Sequence, residues 1–392
     1  MTPSARVQAA IEILDEVIAS ACSDGPAADA LVTRYFKTRR YAGSKDRRAV
    51  RELVFRAIRC SGERPDTGRA AMLGLADDDA KLLDLFDGSP HGPAAREPAE
   101  QTAAALEVPN WIQPLLSVHV GPDEWPTLLE RAPVDLRVNV ARTSRDEMAA
   151  MVPGAAPTRI SPWGLRLAAD TRIDDHPAFT EGLIDVQDEG SQLIALACQP
   201  QDGMRILDLC AGAGGKSLAL AAAAPNAEII ASDTNRARLD QLAPRAERAG
   251  AIITTRLLDG GREAAQLAEL GGQCDVVLVD APCSGSGTWR RNPEGRWRLT
   301  PDRLQRLVKL QARLLDIAAP LVKPGGAVVY ATCSIIRAEG ADQARNFLGR
   351  HSSWIVQDMP FDGGRADGPG RLLTPAHDST DGFFVARFVR PC

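Results

Sequence analysis

The 392-residue chain has no long apolar run. Its longest, LALAAAA from Leu218, is far too short to cross a bilayer. The N-terminal stretch MTPSARVQAAIEILDE lacks the apolar core of a secretory signal, so no export is expected. The eight cysteines include no CxxC pair and do not cluster with the five histidines. That scatter argues against a zinc ligand set and a disulfide framework, and no metal is expected. The expectation is a cytoplasmic chain with reduced thiols. No compositional bias marks it as fibrous or disordered, since it is 44% hydrophobic and 25% charged. Its length implies two or three domains.

What the sequence does have is an uneven charge. Residues 31–69 hold twelve Lys or Arg against four acids, and residues 289–313 hold eight against two. The net charge of the whole is −5, so the remainder carries −19. Two basic islands on an acidic body suit a polyanion laid along one track. Within them, Arg47, Arg48 and Arg51, and then Arg290, Arg291 and Arg296, are candidate phosphate contacts. The ordinary alternative is a pair of solvated helix faces.

The stretch RILDLCAGAGGKS (205–217) runs from an apolar strand through a glycine-rich turn into a helix. It is not a P-loop, because the required first glycine falls on Cys210. It also misses a dinucleotide fingerprint, because the third glycine position is Ser217. The next strand, EIIASD, ends on Asp233, 19 residues after Gly214, where a carboxylate can hold ribose hydroxyls. An acid at Asp208 beneath the turn sits better beside a sulfonium and an ammonium than beside phosphates. The pattern fits S-adenosyl-L-methionine.

Helical periodicity marks residues 4–60, with stripes Val7, Ile11, Leu14, Ile18 and Val50, Leu53, Val54, Ala57, Ile58. DGSPHGPAAREPAE (87–100) reads as a linker. The alternation in VDLRVNV predicts a half-buried strand, SRDEMAAMV opens with a capping box at Ser144 and Glu147, and WGLRLA is a further strand. From about residue 182, strands and helices alternate: RILDLC, EIIASD, IITTRLLD, CDVVLVDAP and GAVVYATCS, with DGFFVARFV last. The strand ends carry Asp208, Asp233, Asp259, Asp280 and Cys333. Strands four and five are expected to flank strand one, which would turn Cys283 and Cys333 toward the cofactor turn. The other six cysteines (Cys22, Cys60, Cys198, Cys210, Cys274 and Cys392) read as buried small hydrophobes.

A thiol beside a methyl donor has a chemical rationale. Carbon 5 of cytosine is a poor nucleophile until a thiolate adds at carbon 6 and breaks the aromaticity. A neighbouring acid such as Asp280 can stabilise charge on the pyrimidine. The base must be unpaired or flipped out.

The pieces DVQDEGSQLIA, LDLCAGAGGKS, DAPCSGSGTWRRNPEGRW, YATCSI and DGFFVARF resemble the Fmu/RsmB/Sun family of RNA cytosine-5 methyltransferases, in the family's order. SKDRRAVRELVFRAIR more loosely resembles the NusB-like RNA-binding domain of the bacterial RsmB branch. The resemblance implies an α/β fold with three parts: an all-helical NusB-like domain with linker (1–100), a small RRM-like α/β module (101–180), and a class I Rossmann-like methyltransferase domain (181–392) with a mostly parallel seven-stranded sheet. It implies Cys333 as the nucleophile at carbon 6 and Cys283 as the residue assisting product release. A DNA-type Pro-Cys assignment would instead make Cys283 the attacker. It further implies that Cys210, Ala211, Gly212, Ala213, Gly214, Gly215 and Lys216, with Asp233, Asp259 and Asp280, hold S-adenosylmethionine. Asp233 would take the ribose and Asp259 the adenine amino edge. Ala213 stands where the family has proline, so a less rigid turn is expected. The implied substrate is a cytosine of small-subunit (16S) ribosomal RNA, with transfer RNA second. A catalytically inactive RNA-binding assembly factor and a small-molecule methyltransferase are the rival readings.

Overall fold

The computed structural model describes residues 1–23 and 25–392. They form two compact units, each built from more than one stretch of chain. The helical unit comprises Met1–Leu116, Gly121–Glu130 and Thr288–Pro301; the sheet unit comprises Ser117–Val120, Arg131–Gly287 and Asp302–Cys392.

In the helical unit the expected periodicity becomes helices Pro3–Cys22, Ala28–Lys37, Ser44–Cys60 and Gly68–Ala76, with a short helix Ala80–Leu83. Thr2 caps the first by accepting a bond from the Ala5 amide, and a proline opens it, where no amide partner is needed. Both apolar stripes enter one core, and that core also contains Trp297 from the late segment 288–301. Burying an indole removes about 200 Å² from water, which is worth about 5 kcal/mol at about 25 cal/mol per Å². The expected boundary at residue 100 is not where the unit ends. Residues 103–106 are tied back by Ala103 N–H to Ala70 O at 3.0 Å and Leu106 N–H to Cys60 O at 2.9 Å.

The sheet unit holds two sheets. The smaller consists of β1 (Val134–Val138), β2 (Ala156–Pro157), β3 (Gly164–Leu167) and β4 (Ile184–Val186), all antiparallel in the order β2-β3-β1-β4. The Ser144–Glu147 capping box forms as expected. β1 is buried on both faces rather than one, because Asp135 and Arg137 are paired: Arg166 donates twice to Asp135, and Arg137 donates to Gln187. β4 lies beyond the expected module boundary at residue 180, so the small sheet borrows the start of the next segment.

The larger sheet consists of β5 (Arg205–Asp208), β6 (Glu228–Asp233), β7 (Thr254–Leu257), β8 (Cys274–Asp280), β9 (Val322–Thr332), β10 (Ile355–Gln357), β11 (Arg365–Asp367), β12 (Gly370–Leu373) and β13 (Phe383–Val389). The order is β11-β12-β13-β9-β8-β5-β6-β7, with β10 on β13. β7, β6, β5, β8 and β9 run parallel, and β13 is antiparallel to β9. Nine strands replace the expected seven because β10 and β11, three residues each, are too short to leave a periodic signal. The fifth consecutive strand, β9, does not flank the first. It lies beyond β8, and β6 takes the other side of β5.

Candidate active site

The turn after β5 is held at four points. Ala211 N–H bonds Ser232 O at 2.9 Å and Gly214 N–H bonds Ala211 O at 2.8 Å. Gly212 N–H bonds the Asp233 carboxylate at 2.7 Å, and Arg245 donates to Ala213 O at 2.7 Å. The arginine therefore restrains the carbonyl of the residue that stands in place of proline. Gly214 caps the helix Gly215–Ala223 with φ +78°, and a Cβ there would lie 2.1 Å from Leu242 Cδ1. Both the backbone and the space demand glycine. Burial, then the charge of Asp208, pushes the Cys210 thiol well above the ordinary range.

Asp208 is fully buried; one oxygen accepts from Ser217 Oγ at 2.7 Å and the other has no hydrogen-bond partner. Burial, reinforced by Asp280 and Asp233, lifts its pKa to about 7, against the opposing Ser217 bond and Lys216. A turn backed by Asp208, Asp233 and Asp280 suits a cationic ligand such as S-adenosylmethionine and repels a pyrophosphate. A raised folded-state pKa means that the folded chain binds more protons than the unfolded one between about pH 4 and 7. Stability from this group is therefore present in acid and lost as pH rises through about 7. Asp208→Asn is expected to flatten the fall in unfolding free energy between pH 5 and 8 measured in urea. An equal slope in both proteins would contradict this.

The two expected thiols meet. Cys283 Sγ lies 3.3 Å from Cys333 Sγ. Neighbouring strands bring them together, with Asp280 opposite Ala331 and Ala281 N–H bonding Ala331 O at 2.9 Å. The bond to Cys333, then burial, push the Cys283 thiol well above its ordinary value. Either sulfur can donate in this contact. Lys216 Nζ reaches from the helix after the turn to Asp280 Oδ2 at 2.6 Å. Burial opposes its charge, yet Asp280, Cys333 and Asp208 together raise the pKa of the ammonium. This Lys216–Asp280 bridge, which the linear sequence did not reveal, connects the turn to the sulfurs.

Asp259 follows Leu258, whose N–H bonds Asp233 O at 2.9 Å. Asp259 is two residues beyond β7, exposed, and bonded to the Gln266 side chain at 3.0 Å. Arg296 corrects the expectation of a phosphate contact. It is 2% exposed, and its guanidinium donates to the carbonyls of Pro293, Ile58, Arg59, Leu106 and Glu107. Arg290 is also buried, and Arg291 is half-buried. In the first island, Arg47 bonds Ala42 O at 2.9 Å and Arg51 forks onto Asp29 at 2.7 and 3.1 Å. Arg48 is exposed.

All eight cysteines are free; Cys22 and Cys392 are exposed, which corrects their reading as core residues. Among the described residues, no helix is long and apolar enough to cross a membrane, and no His, Cys, Asp or Glu group is arranged to hold a metal.

A family profile described as 16S rRNA methyltransferase RsmB/F matches residues 195–389, which include the turn and both sulfurs. The ribosomal RNA small subunit methyltransferase B of Salmonella paratyphi B is 34% identical over 290 residues, covering 72% of this chain. The chain spans 66% of that relative's length. The crystal structure of PH0851 superimposes with a TM-score of 0.76 at 23% identity, over 99% of both chains. NSun6 from Pyrococcus horikoshii with SFG gives 0.64 at 18% identity, over 71% of this chain and 96% of its own. A methyltransferase homolog protein from Pyrococcus horikoshii gives 0.60 at 25% identity, over 71% and 93%. Turn, paired thiols and parallel sheet thus coincide with the matched region, and the chain belongs to the RsmB/F branch of the Fmu/RsmB/Sun methyltransferases.

Proposed function

We propose that this chain is a cytoplasmic, S-adenosylmethionine-dependent RNA cytosine-5 methyltransferase acting on an unpaired cytosine of small-subunit ribosomal RNA. The observation that carries the reading is the 3.3 Å approach of two thiols beside a Lys216–Asp280 pair. Bound at residues 210–216 with Asp233 and Asp280, S-adenosylmethionine supplies an electrophilic methyl group. Cys333, in the field of the Lys216 ammonium, adds as thiolate to carbon 6 of the base, and the displaced π pair makes carbon 5 nucleophilic. Asp280 pairs with Lys216 at 2.6 Å and orients that ammonium at the pyrimidine face.

Release needs two proton movements. Cys283 gives its proton to the departing Cys333 sulfur as the carbon 6–sulfur bond breaks. The Cys283 thiolate so formed accepts the carbon 5 proton, whose bonding pair restores the double bond. Both cysteines end as thiols, and the proton lost from carbon 5 leaves to solvent when Cys333 is deprotonated for the next turnover, one proton per methyl transferred.

RNA docking in the helical unit falls to a subset of the first island. Lys37, Arg40, Lys45 and Arg48 are exposed, while Arg34, Arg51, Arg56 and Arg69 are engaged by carboxylates. Reversing charge at Lys45 and Arg48 is expected to flatten the salt slope of RNA binding by about one per lost phosphate contact. Cofactor affinity should be unchanged. An unaltered slope would exclude this patch.

Mapping 5-methylcytosine in RNA from cells with and without the gene tests the whole reading. One modified site should vanish from small-subunit ribosomal RNA. Loss from transfer RNA instead would reassign the substrate, and no loss anywhere would refute the activity.

A further inference from the structure

Behind the paired sulfurs lies a buried carboxylate that the reaction outlined above does not use. Glu339 follows β9 in a short 3-10 turn and is fully buried. Its Oε1 accepts from the Ser284 backbone N–H at 2.9 Å and from Gln311 Nε2 at 2.9 Å, and its Oε2 accepts from Ser334 Oγ at 2.6 Å. Ser284 directly follows Cys283, and Ser334 directly follows Cys333. One carboxylate therefore grips both sulfur-bearing loops.

The grip is reinforced on every side. Gln311 also donates to Pro282 O at 2.9 Å, and the hydroxyls of Ser284, Ser286 and Ser334 lie 3.0–3.2 Å apart. The Glu339 carbonyl accepts from Tyr330 Oη at 2.6 Å, locking the turn to the strand that ends at the Cys333 loop. Among the described residues no cation pairs with Glu339. A buried carboxylate normally needs paired charge or several donors, and here neutral donors alone satisfy it. Its negative charge is left to act on its neighbours. The titratable groups around it are Cys283, Cys333, which faces the Lys216 ammonium, and Tyr330; the bond to Cys333 and burial raise Cys283, burial raises Tyr330, and the Glu339 charge adds to both.

We propose that Glu339 is a positioning residue that fixes the separation of the two sulfurs and holds the proton on Cys283 until product release. This rests on the methyltransferase reading for its purpose, though the alkylation arm of its test does not.

The test is alkylation of the full-length chain by iodoacetamide, without RNA or cofactor, read as Cys283 and Cys333 peptides by mass spectrometry across pH 6–10. In the natural protein Cys283 is expected to react at least about tenfold more slowly than Cys333 at pH 8, since only a thiolate is alkylated. Glu339→Gln keeps an acceptor for Ser284 and Gln311 but removes the charge. It should move the Cys283 profile to lower pH by about one unit. Glu339→Asp keeps the charge but cannot span both loops. It should leave that profile high while lowering methyl transfer at least tenfold. A merely structural glutamate would not separate these two variants by pH profile. An unmoved Cys283 profile in a folded Gln variant would overturn the proposal. Should neither variant fold, equal reactivity of the two cysteines in the natural chain would also overturn it. Absent RNA methylation with the alkylation pattern intact would sink the enzymatic reading alone.

Discussion

Cys283→Ala should accumulate a covalent RNA adduct that survives denaturing electrophoresis, and Cys333→Ala should form none. In the first variant Cys333 can still attack carbon 6, so the carbon–sulfur bond forms and carbon 5 is methylated. What is missing is the thiol 3.3 Å away that returns a proton to the leaving sulfur. Loss of a positioned proton donor slows a step by about 10²–10⁴-fold, enough to turn a transient species into a trapped one. In the second variant no sulfur reaches carbon 6, and turnover should fall to background. The reverse pattern would make Cys283 the attacker, as the Pro-Cys alternative has it. Adduct from neither variant would rule out covalent catalysis by this pair.

Arg296→Ala should destabilise the protein by about 3–5 kcal/mol in urea-induced unfolding, because buried carbonyls stripped of a charged donor each cost about 1–3 kcal/mol. Five carbonyls lose their partner together, and part of the space fills with water, which caps the total. Arg48→Ala, at an exposed position, is the matched control and should shift stability by no more than about 0.5 kcal/mol. If the two variants unfold alike, Arg296 is not a structural element. RNA binding that falls at Arg296 with stability intact would restore its reading as a phosphate contact.

Arg296 also shows where the sequence ceased to be readable. RRNPEGRWR is a dense cationic run, and local charge says only that arginines are present. Whether a long side chain points to solvent or inward depends on carbonyls of Ile58 and Leu106, about two hundred residues away. The same holds for Glu339, whose donors come from positions 284, 311 and 334 and leave no spacing signal. By contrast, the turn was legible because strand, glycines and helix lie within thirteen residues of one another. The thiols were legible for a similar reason, since each follows a long apolar strand. Their convergence was expected on a mistaken strand order. Cys333 directly follows β9, two places from β5, and the pair still meets because β8 and β9 are themselves neighbours.

The segment Thr288–Pro301 gives the molecule a heritable constraint. It is encoded between β8 and β9, yet Trp297 and Arg296 complete the interior of a unit encoded mostly before residue 117. Exchanging the amino-terminal third for a foreign RNA-binding module would strand an indole and a guanidinium without their sockets. A gene of this kind can acquire a new front end only by rewriting, at the same time, fourteen codons deep inside its catalytic half.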